Sequence, residues 1–425
     1  MKYKAIAAVA LAAVGSLLAA ACGSSSGDSD GKVELTFSSY AWQTETVKAT
    51  KSIVASWNKA HPDTPVKLVP VDADSVHDKL VTQFGGGEAP DIIHDESADL
   101  GGFAQQGYLA DLGPLLSDDL KNQVSKDVWG SVTYDGKVVG MPTLLQSYNV
   151  FVNTDLLKRA GITPPTSDNP WTWEDFQAAA KQLTKGNTYG VGWGLKSPVS
   201  AVMSLSMNFD GKFFEGEGKD AKLTFGPNEQ QVLTRIHSMI YDDKSIAKGS
   251  TSLSAGDILP GFYGGKYAMI VAGNYNVQQI LEQAPKDFNW QLLPPLKGTS
   301  VTQAANPQTL SVAAQSEHQK EAAEFVAYYA NAQNLAKLAQ GDWLIPATTG
   351  ASEQVLKDTK GEDGWDTMVA TGKTLAVAPF QKADNYPQWK DQIATPGFQQ
   401  YFADKVSIDE LGKQLESGWQ QVAGR

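Results

Sequence analysis

Apolar and polar positions alternate over 33–37, where Val33, Leu35 and Phe37 flank Glu34 and Thr36, and this period of two predicts an opening strand. Residues 38–43 then form the loop at its carboxyl end. Over 46–60 the positions of Val47, Ile53, Val54 and Trp57 predict a helix, and 66–71 predicts a second strand. A short helix over 74–84 is stopped by Gly85-Gly86-Gly87, and 89–93 makes a third strand. Strand, helix, strand, helix, strand at this spacing argues for a parallel, doubly wound sheet, which takes ligands beyond the carboxyl ends of its strands. The glycine triplet fits neither GxGxxG nor GxxxxGK[ST], so it reads as a helix stop and not as a phosphate loop.

The stretch 136–161, GKVVGMPTLLQSYNVFVNTDLLKRAG, organises the rest. Its apolar runs at 138–141 and 149–152 are followed by a helix-prone run at 155–159. The pattern predicts a hairpin-like entry, a crossing from one lobe to another, and the first helix of the second lobe. Beyond it, Thr172 caps a helix with Asp175 three residues on, and Phe176, Ala179, Ala180 and Leu183 give that helix a core face. A strand at 189–195, a core helix within 197–210 and an amphipathic helix over 226–242 follow. Residues 268–272 form a buried strand ending at Gly273, where glycine permits close approach, and Tyr275 just after it is expected to face the interlobe space. Residues 307–313 return the chain to the first lobe, Ser316 and Gln319 are expected to form a capping box, and Ser407 with Glu410 caps a last helix.

A chain of 425 residues can bury two cores. The formal charge of −12 becomes −14 once Lys2 and Lys4 leave with a leader, which disfavours nucleic acid as a partner and favours solubility. Residues 1–21 carry that leader's pattern: two lysines, an apolar stretch over 5–14, then small residues up to Cys22. Cys22 is the only cysteine, so no intramolecular disulfide forms. A lone cysteine after small residues resembles a bacterial lipobox, and the Gly- and Ser-rich segment 22–31 reads as a flexible tether to a membrane. The other reading is an ordinary secretory leader in which Cys22 is incidental.

The chain has no GxSxG, HExxH or CxxC motif, and its five histidines are scattered without metal-ligand spacing, so no catalytic or metal-ligating residue and no cofactor is assigned. The carboxylates of 94–99 (HDESAD) are open to four readings: an acid pair, a metal site, acceptors for a ligand's hydrogen bonds, or a solvated loop. Eleven Trp and fourteen Tyr are more than core packing alone needs. Aromatic rings cover the C–H faces of a pyranose while amides and carboxylates pair its hydroxyl rim, so these residues fit carbohydrate binding.

Several ordered motifs across 33–421 resemble the bacterial extracellular solute-binding proteins of the maltose-binding type. They are Asp135-Gly136-Lys137 with Gly140-Met141-Pro142, Val152-Asn153-Thr154-Asp155-Leu156-Leu157, the 262–273 run FYGGKYAMIVAG, and the turn at 341–346. The resemblance implies an α/β, two-lobed periplasmic-binding-protein fold, each lobe a doubly wound sheet flanked by helices, joined by a multi-crossing hinge. Lobe 1 would hold 32–146 and 308–343, and lobe 2 would hold 147–307 and 344–425. Carried over residue by residue, it puts Gln146 where maltose-binding members have a ligand-contacting Glu, and Tyr275 beside Asn274 where they have a stacking Trp. Ala98 and Asp99 stand where those members have Asp and Arg, a departure that makes maltose itself a poor fit. Glu96, together with Tyr40 and Trp42 in the first loop and Trp343, completes the expected ligand set. The family role implied is a lipid-anchored, monomeric sugar-binding component on the outer face of the cell membrane, serving the permease subunits of an ABC importer. The alternatives are a polyol or glycerol phosphodiester ligand on the same fold, or a surface glycosidase or lectin.

Overall fold

The computed structural model describes residues 32–41, 43–72 and 76–424. The leader 1–21, Cys22 with the tether 22–31, and Trp42 lie outside the described residues. The chain first lays down β1 (Leu35–Tyr40), α1 (Thr44–Ala60), β2 (Val66–Val71), α2 (Val76–Gly86) and β3 (Ile92–Glu96). After a small hairpin, Thr133–Tyr134 against Lys137–Val138, comes β4 (Met141–Leu145). Gly87 follows α2 at φ +72°, the left-handed conformation of a helix stop.

A second body begins after a two-residue step from β4. It contains β5 (Tyr148–Asn153), α3 (Thr154–Ala160), α4 (Trp173–Leu183), β6 (Tyr189–Trp193), α5 (Val199–Ser206), α6 (Pro227–Tyr241), β7 (Tyr267–Gly273), α7 (Asn276–Gln283) and β8 (Trp290–Leu292). The chain then returns through β9 (Gln303–Ala304) to β10 (Pro307–Val312), α8 (Gln319–Tyr329), α9 (Ala332–Asp342), β11 (Ile345–Pro346), α10 (Thr349–Thr359) and α11 (Trp365–Gly372). It leaves again through β12 (Leu375–Ala376) for α12 (Thr395–Phe402) and α13 (Ile408–Ala423).

The first body's sheet has the order β11-β4-β10-β3-β1-β2 and the second's β8-β5-β7-β6. The expected parallel arrangement holds for β1, β2 and β3. β10 arrives from the second body and enters antiparallel between β3 and β4, with Leu310 opposite both His94 and Met141. In the second sheet β7 runs parallel to β6 and antiparallel to β5. The glycines of β6 mark close approach: a Cβ on Gly190 would strike the carbonyl of Ala180 in α4, and one on Gly192 the ring of Tyr267 in β7.

Each body is built around rings. In the first, Phe37 meets Phe325 at 5.5 Å and Tyr329 at 5.6 Å, with Trp57 closing on Phe325 at 5.4 Å. In the second, Phe214 meets Trp419 at 4.7 Å, while Trp173 donates from its indole to Asn208 at 3.0 Å, so its buried N–H is satisfied. The capping boxes at Thr172/Asp175 and Ser407/Glu410 form as the sequence predicts. The one expected at Ser316/Gln319 does not: the Ser316 hydroxyl donates to Asp91 at 2.6 Å, and α8 starts after His318 without a side-chain cap.

One boundary differs from expectation. Residues 344–372 stay with the first body, because β11 pairs with Leu144 and Leu145 of β4 and Trp365 of α11 stacks on Trp343 at 4.7 Å. The chain passes to the second body only through β12, which runs beside β9 as a parallel pair and so doubles the connection. Two short strands over 345–346 and 375–376 carry too little period to be read from sequence.

Candidate functional site

Three crossings meet at one place. Leu145 is the last residue paired in the first sheet and Tyr148 the first paired in the second, so Gln146 and Ser147 alone span the first crossing. Ser147 is held on both sides: its N–H donates to the Asn274 side chain at 3.1 Å, its carbonyl accepts from Asn274 N–H at 3.0 Å, and its hydroxyl donates to Asn149 at 2.7 Å. Tyr148 is tied to the second crossing through Gln303, whose side-chain amide both accepts from its N–H and donates to its carbonyl. With Ser147 and Tyr148 fastened, the Gln146 side chain turns to the space between the bodies.

That space is a cavity of about 470 Å³, counting its open mouth. Glu96, Ala98 and Asp99 supply the first body's wall, from the end of β3 and the turn Ser97–Asp99. Gln146, Tyr148 and Asn306 come from the crossings, and Ser200 and Ser204 from α5. Phe380, Gln381, Tyr386 and Lys390 close it from the carboxyl-terminal segment. Ala98, Asp99 and Gln381 also line a wider cleft of about 760 Å³, reaching His77 and Gly101–Gly102 on one side and Asn385, Pro387 and Gln388 on the other, so the two spaces adjoin.

Hydrogen bonds hold the cavity's polar wall in place. Asn306 donates to Glu96 at 2.9 Å and its carbonyl oxygen accepts from Gln381 at 3.1 Å and from the Ser97 hydroxyl at 3.2 Å. Burial raises the pKa of Glu96, and the charge of Asp99 adds to the shift, against the pull of Asn306 and Lys390. Asp99 is raised by burial too, opposed by Lys390 and His77. Beneath them Asp95 is fully buried and its pKa is well above the usual carboxylate range, by burial first and Asp99 second, although Tyr40 donates to it at 2.8 Å and Glu96 N–H at 2.8 Å. Burial also raises Tyr148, and holds Tyr275 up at about 12 with help from Glu96, so both phenols stay neutral donors at pH 7.

Of the residues expected from sequence, Glu96, Asp99 and Gln146 come together on this cavity. Tyr40 does not: it is buried, stacked on His94 at 4.3 Å, with its hydroxyl spent on Asp95, because β1 runs on to Tyr40 where a loop was expected. Trp343 is buried against Trp365 in the first body's core, as the left-handed end of α9 turns its ring inward. Asn274 is fully buried and serves the crossing through Ser147. Tyr275 is not on the cavity wall: it is half-buried against the core, near enough to Tyr148 to raise its pKa, with its ring folded over Gly273, where a Cβ would collide with it. Sequence reading missed Tyr148, Asn306, Phe380, Gln381, Tyr386 and Lys390; the aromatic cluster at 380–389 was the available signal for half of them.

The wall therefore offers ring faces, amides, hydroxyls and two carboxyls around one partly open space. This is equipment for gripping a polar, hydroxyl-bearing molecule with apolar faces. Among the described residues, no group of three or more His, Cys, Asp or Glu is arranged to hold a metal ion, and no helix is long and apolar enough to cross a membrane.

Comparison with known proteins points the same way. Residues 40–336 match the model of the family described as bacterial extracellular solute-binding protein. An uncharacterized lipoprotein in the oleD 5′ region of Streptomyces antibioticus is 43% identical over 402 residues, covering 93% of this chain and 88% of that protein. The multiple sugar-binding protein of Streptococcus mutans is 25% identical over 366 residues, covering 83% of this chain and 84% of that protein. Among solved structures, the sugar-binding protein MalE of Xanthomonas citri shares the fold at a TM-score of 0.79 and 20% identity, covering 92% of this chain and 97% of that one.

Proposed function

The chain belongs to the bacterial extracellular solute-binding proteins, and from that premise we propose that it captures a sugar, an oligosaccharide, between its two bodies and delivers it to the permease of an ABC importer. The carrying observation is the cavity of about 470 Å³ whose wall takes Gln146 from the crossing, Glu96 and Asp99 from one body, and Tyr386 from the other. A ligand touching both walls favours the arrangement in which they meet, so binding and closure are one event. In this reading Tyr148, Phe380 and Tyr386 cover sugar faces, and Glu96, Asp99, Gln146, Asn306 and Gln381 pair hydroxyls. The adjoining cleft leaves room for further sugar units. The sugar-binding relative in Streptococcus mutans supports the same solute class.

The protein acts as a monomeric binder, held at the outer face of the membrane by a lipid on Cys22, and the lipoprotein relative supports that anchor. A phosphodiester ligand is disfavoured, because Lys390 faces Glu96 and Asp99 in the cavity and none of the chain's three arginines lines it. A thermal-shift screen over mono- and oligosaccharides tests the proposal, since a ligand bound only by the native state raises apparent stability. Stabilisation by one sugar series, followed by saturable calorimetric binding, is expected. Stabilisation by glycerol phosphodiesters alone, or hydrolysis of a bound glycoside, overturns it.

A further inference from the structure

Beside the cavity, one side chain crosses between the bodies with its charge. Lys382 ends the turn Pro379–Lys382, and its carbonyl accepts from Gly218 N–H at 2.8 Å, which fastens its main chain to the second body. Its side chain reaches across the seam. The ammonium donates to the carbonyl of Thr133 at 2.7 Å and lies 3.9 Å from the centre of the Tyr134 ring, both in the first body's small hairpin. The residue is only 6% exposed. Among the described residues, no carboxylate comes within salt-bridge distance of it. Its neighbour Asp384 takes a hydrogen bond from Gln105 across the same seam.

The groups facing this ammonium are known from every side. Tyr134 and Asp135 come from the hairpin, Gln105 from the helix Leu100–Gln105, and Glu217, Lys219 and Asp220 from the second body's loop, with Asp384 on its own segment. His77 and Asp99 lie across the adjoining cleft. Burial holds Tyr134 above the ordinary phenol range, so it stays neutral. Glu217 is the one carboxylate that supports the ammonium, and it is exposed. A main-chain carbonyl and a ring face compensate a buried charge less well than water or a paired carboxylate does.

We propose that Lys382 is a spring between the bodies: shutting the cleft buries its ammonium without a carboxylate partner, so closure is resisted by that charge and reopening recovers its hydration. The ammonium's hydrogen-bond acceptor and ring partner belong to the other body, so the contact spans the seam. The resistance does not depend on the solute, and it keeps the closed form able to reopen and discharge. The direction of the proton equilibrium agrees. Burial lowers the lysine from its ordinary 10.5 to about 8 against Glu217's pull, and an open cleft that rehydrates the ammonium relieves that lowering. Closure then expels a proton in the window between those values, so rising pH through about 8 to 10 favours the closed form.

The inference rests on the two-bodied cleft described above, but its test needs no solute. Small-angle scattering of the unliganded full chain, wild type beside Lys382→Met, reads the balance of open and closed forms directly. Methionine keeps most of the buried stem and removes the charge. The variant is expected to be more compact than wild type at pH 7, with the closed-to-open ratio raised roughly tenfold, the equivalent of one pKa unit. Wild type is expected to compact toward the variant between pH 7 and 10, while the variant's profile stays flat. A variant that melts as wild type does and scatters identically, or is more open, overturns the proposal. Should the methionine variant fail to fold, the pH series on wild type still decides: no compaction, or expansion, overturns it.

Discussion

The side-chain amide of Gln303 holds both main-chain polar groups of Tyr148, accepting from its N–H and donating to its carbonyl, each at 2.8 Å. Gln303 is fully buried and belongs to β9, so this pair locks the first crossing to the second. Gln303→Leu leaves both groups of Tyr148 without those partners. The expected loss is about 2 kcal/mol, read as a fall of roughly 4 °C in a calorimetric melt. An unchanged melt would mean that the crossings are held elsewhere.

Asp99→Asn is expected to stabilise the unliganded protein while weakening sugar binding. Asp95, Glu96 and Asp99 all carry raised pKa values, with Asp99 raising the other two. Between the ordinary carboxylate range and those raised values the native state holds more protons than the unfolded state, so its stability falls as pH rises through that window. At pH 7 the variant's melting temperature should exceed wild type by ~2 °C, and the difference should vanish toward pH 4. A variant less stable than wild type at pH 7 contradicts the assignment.

Gln146 and Tyr275 separate by the same pair of measurements. Gln146 is half-buried on the cavity wall, so Gln146→Ala should leave the unliganded melt within ~1 °C and weaken the identified sugar about tenfold by titration calorimetry. Tyr275 packs on the core and is absent from the cavity wall, so Tyr275→Ala should lower the melt by several degrees and change affinity less than Gln146→Ala does. The reverse pattern would place Tyr275, and not Gln146, against the solute.

Cys22→Ala should move the protein from the membrane fraction to the medium, or leave its leader uncut, in the native host. Membrane retention of a processed alanine variant rules out the lipid anchor.

Period-two and helical patterns were legible wherever a segment buries one face for several turns. The strand at Tyr267–Gly273, every residue of it buried, and α4 with its Thr172 cap fall where the pattern puts them. The first crossing was legible because Pro142 and the polar Gln146–Ser147 step interrupt two apolar runs. What the pattern does not carry is how far a strand runs past its apolar stretch. β1 extends to Tyr40 and β3 to Glu96, which withdraws one expected ligand and positions another. Trp343 and Tyr386 look equivalent in sequence, as aromatics in polar turns. Their fates depend on distant partners: Trp365 buries the first, whereas Phe380 and Trp389 hold the second with an edge on the cavity.

The late arrival of β10 governs the order in which this protein can come into being. Its six residues lie in the interior of the first body's sheet, between β3 and β4, yet the ribosome makes them more than 200 residues after β3. Until then β3 and β4 each present an unpaired edge, and the nascent first body lacks Leu310 and Val312 from its core. The first body therefore cannot complete its sheet until residue 312 has been made. A fragment ending at residue 300 lacks β10, the strand that joins β3 to β4, so its first body is expected to stay incomplete.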